Sequence, residues 1–358
     1  MWKPSQPALL MIIVALHCHA ALADEPPPVS AVEEAWKQRS KDLSSSLLQW
    51  TEERIHPGGQ RLSPHDAEPL ASDLTIVFEK RLIISGEKFR IEGVGKALDY
   101  RTKALEPFEL TIVCNETGSS FHNYPDRKNN LGYFAKSSAG LADVTYRPAM
   151  LATNPGDPNF GQINLDEYHV TPGQIDVAGR SCITLESNTE RSLEGRLYLD
   201  PERQFVITRI VSADGNRISR QIDFTYDRDS EGVWYPASWE FKIMNPTLDG
   251  FALLLSGTTK DFNSKFIAST QDFEIHYPPG TLIYDLRTPG DNRIVIEETG
   301  SMRNLDQSEH RTPIENLLTP EQPPVSTRTW ILLANLAGIL AISTVLLYRS
   351  YKRRRKQG

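Results

Sequence analysis

The residues able to do chemistry are sparse and do not assemble into a known constellation. Past residue 23 the histidines are His56, His65, His122, His169, His276 and His310, scattered singly. Metal sites need clustered ligands, and no histidine pair has the i, i+4 spacing of a helical metal pair, so each reads as a surface or strand residue. The chain carries no G-x-S-x-G, no H-E-x-x-H, no C-x-x-C and no P-loop. The stretch Asp157-Pro158-Asn159-Phe160-Gly161 to Glu167 has the carboxylate density of a calcium loop, but its glycine comes one place early and position twelve is Tyr168 instead of Glu. A solvated loop is the simpler reading. No catalytic residue, metal ligand or cofactor is predicted, and the chain is expected not to be an enzyme.

What remains are aromatics and cysteines. Trp36 and Trp50 bracket an early apolar stripe, and Trp234-Tyr235-Pro236-Ala237-Ser238-Trp239 is a dense aromatic step. Trp36, Trp50, Trp234 and Trp239 are therefore the candidate ligand-binding residues, for an apolar ligand that would cover an open sheet face; the alternative is that they fill an ordinary core. Cys18 falls in a segment expected to be removed. Cys114 and Cys182 are left, either as one disulfide in an oxidising compartment or as two separate buried thiols. Asn115-Glu116-Thr117 matches the N-glycosylation triplet, which matters in a eukaryotic secretory pathway.

The elements that must position these residues follow from periodicity. Ser30 with Glu33 three places on has the form of a capping box, and Val32, Trp36, Leu43, Leu47 and Trp50 fall on one helical stripe, which predicts an amphipathic helix to about Trp50. From Asp73 the period becomes two. Phe89, Ile91 and Gly93, then Leu193, Leu197 and Leu199, then Ile218, Ile222, Phe224 and Tyr226, then Trp239, Phe241 and Ile243, then Phe273, Ile275 and Tyr277 all alternate with polar neighbours. That is the pattern of antiparallel strands with one buried face. Residues 126–165 break it with a short helix expected around Gly132–Ala142 and a Pro/Gly/Asn loop, either a lid over the sheet or a loop packed on its edge.

Two apolar segments frame the chain. Residues 1–23 have a basic start (Lys3), a short apolar run (Ala8 to Leu16) and a small-x-small end at Ala21-Leu22-Ala23, as in a cleaved export signal. Residues 329–348 are free of charge, and as a helix they would reach about 30 Å, the hydrocarbon thickness. Arg349, Lys352, Arg353, Arg354, Arg355 and Lys356 follow at once and mark a cytoplasmic side. The expected order is 1–23 signal peptide, 24–300 extracytoplasmic β domain, 301–328 polar stalk, 329–348 transmembrane helix and 349–358 basic cytoplasmic tail. The expected location is the cell membrane, single-pass, with the N-terminal domain periplasmic and the lipid bilayer as a partner. The net charge of −7 is more negative still outside that tail, which argues against nucleic acid as a partner.

The helix with Trp36-x-x-Arg39, the hairpin strand Lys88-Phe89-Arg90-Ile91-Glu92 and the Trp-x-Pro-x-x-Trp step resemble the LolA/LolB-like group of lipoprotein carriers, which includes RseB-like sensor domains. Leu199-Asp200-Pro201-Glu202-Arg203 and Tyr277-Pro278-Pro279-Gly280-Thr281 with Asp285 are similar to membrane-anchored planctomycete-type relatives. The resemblance spans roughly residues 30–300 and implies a mainly β fold: an open antiparallel half-barrel with an N-terminal amphipathic helix and a short lid insertion. It implies a binding protein for a lipid, an acylated protein or another apolar ligand, or an interaction or sensory protein that engages another envelope protein. A tether argues against free carriage between membranes.

Overall fold

The computed structural model describes residues 27–61, 68–99, 104–115, 118–123, 130–136, 146–157, 163–188, 195–214, 217–245, 250–312 and 316–317. The expected export signal, the transmembrane helix with its basic tail, and half of the stalk lie outside these residues. Among the described residues no helix is long and apolar enough to cross a membrane.

The chain opens with helix α1 (Val29–Asp42). It starts after Pro28 without a side-chain cap, so the expected Ser30 box is not made. It also ends eight residues before Trp50, which corrects the predicted boundary. The cause is the serine run: Ser44 Oγ donates to the carbonyl of Lys41 and Ser46 Oγ to that of Leu43. Such local bonds satisfy the last carbonyls and release the chain from the helix. Strand β1 (Ser45–His56) follows directly, so Leu47 and Trp50 belong to a strand.

Strands β2 (Leu74–Ser85), β3 (Lys88–Leu98), β4 (Leu105–Cys114), β5 (Gly118–Asn123) and β6 (Leu131–Ala135) then form an antiparallel meander. Helix α2 (Arg147–Thr153) interrupts it. Strands β7 (Tyr168–Val177), β8 (Arg180–Ser187), β9 (Arg196–Asp200), β10 (Val206–Asp214), β11 (Arg217–Arg228), β12 (Trp234–Met244) and β13 (Phe251–Asn263) make a second meander. Pairing of β1 with β13 joins the two. Strands β14 (Leu282–Asp285), β15 (Asn292–Ile296) and β16 (Met302–Asn304) extend the first flank, with β14 lying parallel to β6. The described strands form one sheet in the order β16-β15-β14-β6-β5-β4-β3-β2-β1-β13-β12-β11-β10-β9-β8-β7, open at β16 and β7. The predicted mainly β, unclosed antiparallel architecture is what forms. β16 carries the sheet past the expected boundary at Gly300. Residues from Asp306 form a separate unit, in which a 3-10 turn spans Glu309–Arg311.

One face of the sheet carries the main core. Leu48 and Trp50 of β1, Phe78 and Leu82 of β2, Leu197 and Leu199 of β9, and Phe224 and Trp239 of β11 and β12 meet Val32 and Trp36 of α1. Residues Pro148 to Thr153 of α2 are all buried against the same face. A helix buried on every side is a plug, not a surface lid. Of the short helix expected around Gly132–Ala142, residues 132–135 are instead part of strand β6 and 137–142 lie outside the described residues; a helix comes at Arg147. On the opposite face Leu47, Ile83 and Val113 are covered by Phe273, Phe266 and Ile275. Residues 273–277 alternate as predicted but form no strand; a 3-10 turn at Thr270–Phe273 leads into a covering segment. The alternation is real because Phe273 and Ile275 point inward, yet the segment lies across the sheet instead of beside a strand.

Two glycines make room for large side chains on the inner face. At Gly257 an added Cβ would lie 2.1 Å from Trp239, whose indole lies over the β13 backbone. At Gly93 it would lie 2.5 Å from the Tyr146 hydroxyl. Cys114 and Cys182 are two separate buried thiols, on β4 and β8, nine places apart in the sheet order. The disulfide alternative is therefore not realised. Burial pushes the Cys182 thiol upward in pKa, and it contacts the Thr208 hydroxyl at 3.3 Å.

Two outcomes are expected. Trp50→Ala should lower unfolding free energy by about 3–5 kcal/mol in denaturant titrations, as for other large buried aromatics. Neither Cys114 nor Cys182 should react with a thiol reagent at pH 8 in the native protein, both should react once unfolded, and reductant should leave the melting temperature unchanged.

Candidate functional site

Helix α1 has two working faces. Val32, Trp36 and Arg39 are buried against the main core. Val29, Glu33, Trp36, Lys37 and Ser40, at three- and four-residue spacing, form a wall of an open cleft of about 660 Å³. The segment after α2 supplies the opposite wall through Asn154, Gly156, Asp157, Ile163, Asn164, Leu165 and Asp166. This volume lies within the range of small-ligand pockets, about 300–1,000 Å³. Val29, Trp36, Ile163 and Leu165 give the cleft an apolar floor that belongs to, or packs against, the main core. Its rim is polar: Glu33 and Lys37 pair at 2.6 Å on the surface, and Asn154 Nδ2 donates across the cleft to Ser40 Oγ at 3.1 Å. Gly156 packs beside the Trp36 indole, 3.5 Å from an added Cβ.

The cleft walls are held by two polar ties from α1. Trp36 Nε1 donates to the Phe205 carbonyl at 2.9 Å. That carbonyl belongs to a turn in which Gln204 (φ 57°) and Phe205 (φ 54°) both adopt left-handed conformation, a cost of roughly 1–3 kcal/mol each for non-glycine residues. Arg39, one helical turn further on, donates from Nη2 to the Ala152 carbonyl at 2.8 Å and from Nε to the Thr153 carbonyl at 3.2 Å. It thereby places a cation on the C-terminal end of α2, where the free carbonyls and the helix dipole favour it. The guanidinium sits 5.5 Å from the Tyr226 ring centre. Burial lowers the pKa of Arg39 and raises that of Tyr226.

The other end of α2 rests on a buried ion pair. Lys80 Nζ lies 2.7 Å from Glu52 Oε1, with both side chains inaccessible, and Arg54 Nε adds a second contact to the same oxygen at 2.8 Å. The Lys80 ammonium lies 4.0 Å from the centre of the Tyr146 ring, immediately before α2. Glu52 Oε2 and the indole N–H groups of Trp50 and Trp239 are buried without hydrogen-bond partners. The inner face under α2 is thus apolar in area but not in every atom.

The four candidate tryptophans do not form one site. Trp36 lines the cleft. Trp50 and Trp239 pack edge to face with ring centres 5.6 Å apart, in the core below α2. Trp234 stands apart, with the guanidinium carbons of Arg228 and Arg203 at 4.1 and 4.5 Å from its ring centre. Sequence reading missed Arg39 as the tie on α2, Asn154 in the cleft, and the Glu52–Lys80 pair. The three-residue spacing from Trp36 to Arg39 placed both on one helix face and could have marked the first. Nothing local to Glu52 or Lys80 announced burial. Among the described residues no group of three or more His, Cys, Asp or Glu is arranged to hold a metal ion.

No protein-family model matches the sequence, and no curated protein matches it. In three dimensions the chain is similar to a DUF1329 family protein from Desulfovibrio piger, with 13% sequence identity over 69% of this chain and 97% of that one, TM-score 0.44. It is similar to a LolA superfamily protein from Nitrosomonas europaea, with 9% identity over 70% of this chain and 98% of that one, TM-score 0.37. It is also similar to MucB in complex with MucA(peri), with 13% identity over 73% of this chain and 72% of that one, TM-score 0.17.

Replacing Arg39 by Leu should free α2 selectively. Hydrogen exchange at Met150 and Asn154, whose amides close the α2 turns, is expected to accelerate well before that of β1 and β2, because two buried carbonyls lose their donors.

Proposed function

We propose that this chain is a membrane-tethered extracytoplasmic binding protein, without catalytic activity, that holds an apolar or acylated ligand at the cleft between α1 and the 154–166 segment. The observation that carries this reading is the cleft itself: an apolar floor including Trp36 and Ile163, continuous with the inner-face core, and a polar rim that can orient a ligand head. The charge-free stretch at 329–348 and the export-type start support the tether and the periplasmic location.

The arrangement suggests how more space would be made. Helix α2 occupies inner-face area that a longer acyl chain would need, and a seven-residue helix has little stability of its own. Its retention depends on Arg39 at one end and on the packing of Tyr146 over Lys80 at the other. Ligand entering from the cleft would displace α2 from the sheet while the Trp36 tie to Phe205 keeps α1 in place.

The test is native mass spectrometry of the full chain released from detergent, with lipid extraction of the same sample. Extractable acyl lipid at about one per chain supports the reading. A clean apo mass with a stably co-purifying protein would replace it by a protein-partner role. Leu165→Arg, which puts a charge on the cleft floor without touching the deepest core, is expected to reduce lipid retention about tenfold or more while the melting temperature changes little.

A further inference from the structure

The hairpin ends after β7, β9 and β11 fall on one rim of the sheet, and each contributes an arginine: Arg180 begins β8, Arg203 lies between β9 and β10, and Arg228 ends β11. We propose that these three arginines, two of them packed on Trp234 and the third sharing Asp200 with Arg203, bind the phosphate group of an amphiphile whose tail lies in the cleft; this rests on the cleft reading above and names its ligand class.

Charge and donor count carry it. Arg203 and Arg180 share one carboxylate oxygen, Asp200 Oδ2, each at a long 3.5 Å. The other oxygen of Asp200 accepts from the Glu202 amide. Arg228 makes no ion pair among the described residues, and Asp227 beside it accepts the Arg228 backbone amide at Oδ1. Arg203 and Arg228 both lie against the Trp234 ring, and the indole N–H of Trp234 is a buried donor without an acceptor. Like charges brought together repel, and guanidinium donors with so few acceptors are incompletely used. One carboxylate satisfies one guanidinium fork, whereas a phosphate offers several charged oxygens to several forks, so three arginines fit a phosphate better than a carboxylate. Burial and the neighbouring Arg180 lower the pKa of Arg203, and Asp200 opposes them.

The turn geometry links this rim to the cleft. Arg203 is followed by the two left-handed residues Gln204 and Phe205, a strained arrangement of the kind found at functional sites. The Phe205 carbonyl accepts from Trp36, whose ring lines the cleft. The Trp36 indole thus joins the cleft to the turn that follows Arg203.

The experiment is calorimetric titration of the full chain in a neutral amphipol at low salt with octyl phosphate, 1-octanol and inorganic phosphate. Arg228→Gln and Arg180→Gln are the variants, since neither residue's removal strips a buried carboxylate of its last partner. Octyl phosphate is expected to bind about tenfold or more tightly than octanol, with that preference lost in both variants and octanol binding retained. Inorganic phosphate binding as tightly as octyl phosphate, with the same loss in the variants, would keep the phosphate site and remove the tail from the cleft. Equal affinity for octyl phosphate and octanol, or variants that keep the preference, would overturn the phosphate site and leave the cleft reading standing. No binding of any of the three probes would overturn both.

Discussion

The contact between the Arg39 guanidinium and the last carbonyls of α2 is the constraint on which the rest of the inner face depends. Withdrawing a guanidinium from water costs several kcal/mol. Two carbonyl acceptors and the negative end of a helix dipole offset that cost. They do so only while α1 and α2 are both docked; α1 keeps a second tie of its own through Trp36 and the Phe205 carbonyl. Seven residues are too few for a helix to persist alone, and burial on all sides makes α2 wholly dependent on its surroundings.

The sheet beneath is built to receive that unit. Gly93 leaves space for the Tyr146 hydroxyl and Gly257 leaves space for the Trp239 indole. The Glu52–Lys80 pair sits where the two meanders meet, since β1 pairs with both β2 and β13. A buried ion pair is a weak source of stability but leaves a large penalty when one partner is lost, which fixes the register of these strands. The orphaned Glu52 Oε2 and the two indole donors show that this interior is less completely satisfied than a closed core.

Much of the fold was legible because strands with one buried face leave a two-residue period, as at Phe89 to Gly93 and Ile222 to Tyr226, though Ile218 on the same strand is exposed. The period failed at two places for physical reasons. Leu43, Leu47 and Trp50 continue a helical stripe by coincidence, while the Ser44–Ser46 run ends the helix. Phe273 to Tyr277 alternates because it packs on the sheet's outer face, and pattern alone does not distinguish packing across strands from pairing beside one. The cleft was not legible. Trp36 was singled out with three other tryptophans, but its partners Asn154 and Ile163 lie more than a hundred positions away in an irregular segment. Their proximity follows from how α2 docks, and α2 itself has too little periodicity to be placed in advance.

The central claim is that an apolar chain lies between α1 and the 154–166 segment. Photo-crosslinking of the full protein with a diazirine-bearing fatty acyl probe, followed by peptide mapping, tests it directly. Labels concentrated on Val29–Ser40 and on residues 154–166 are predicted. Labels confined to the outer face around Phe266 and Ile275, or none above background, would contradict it.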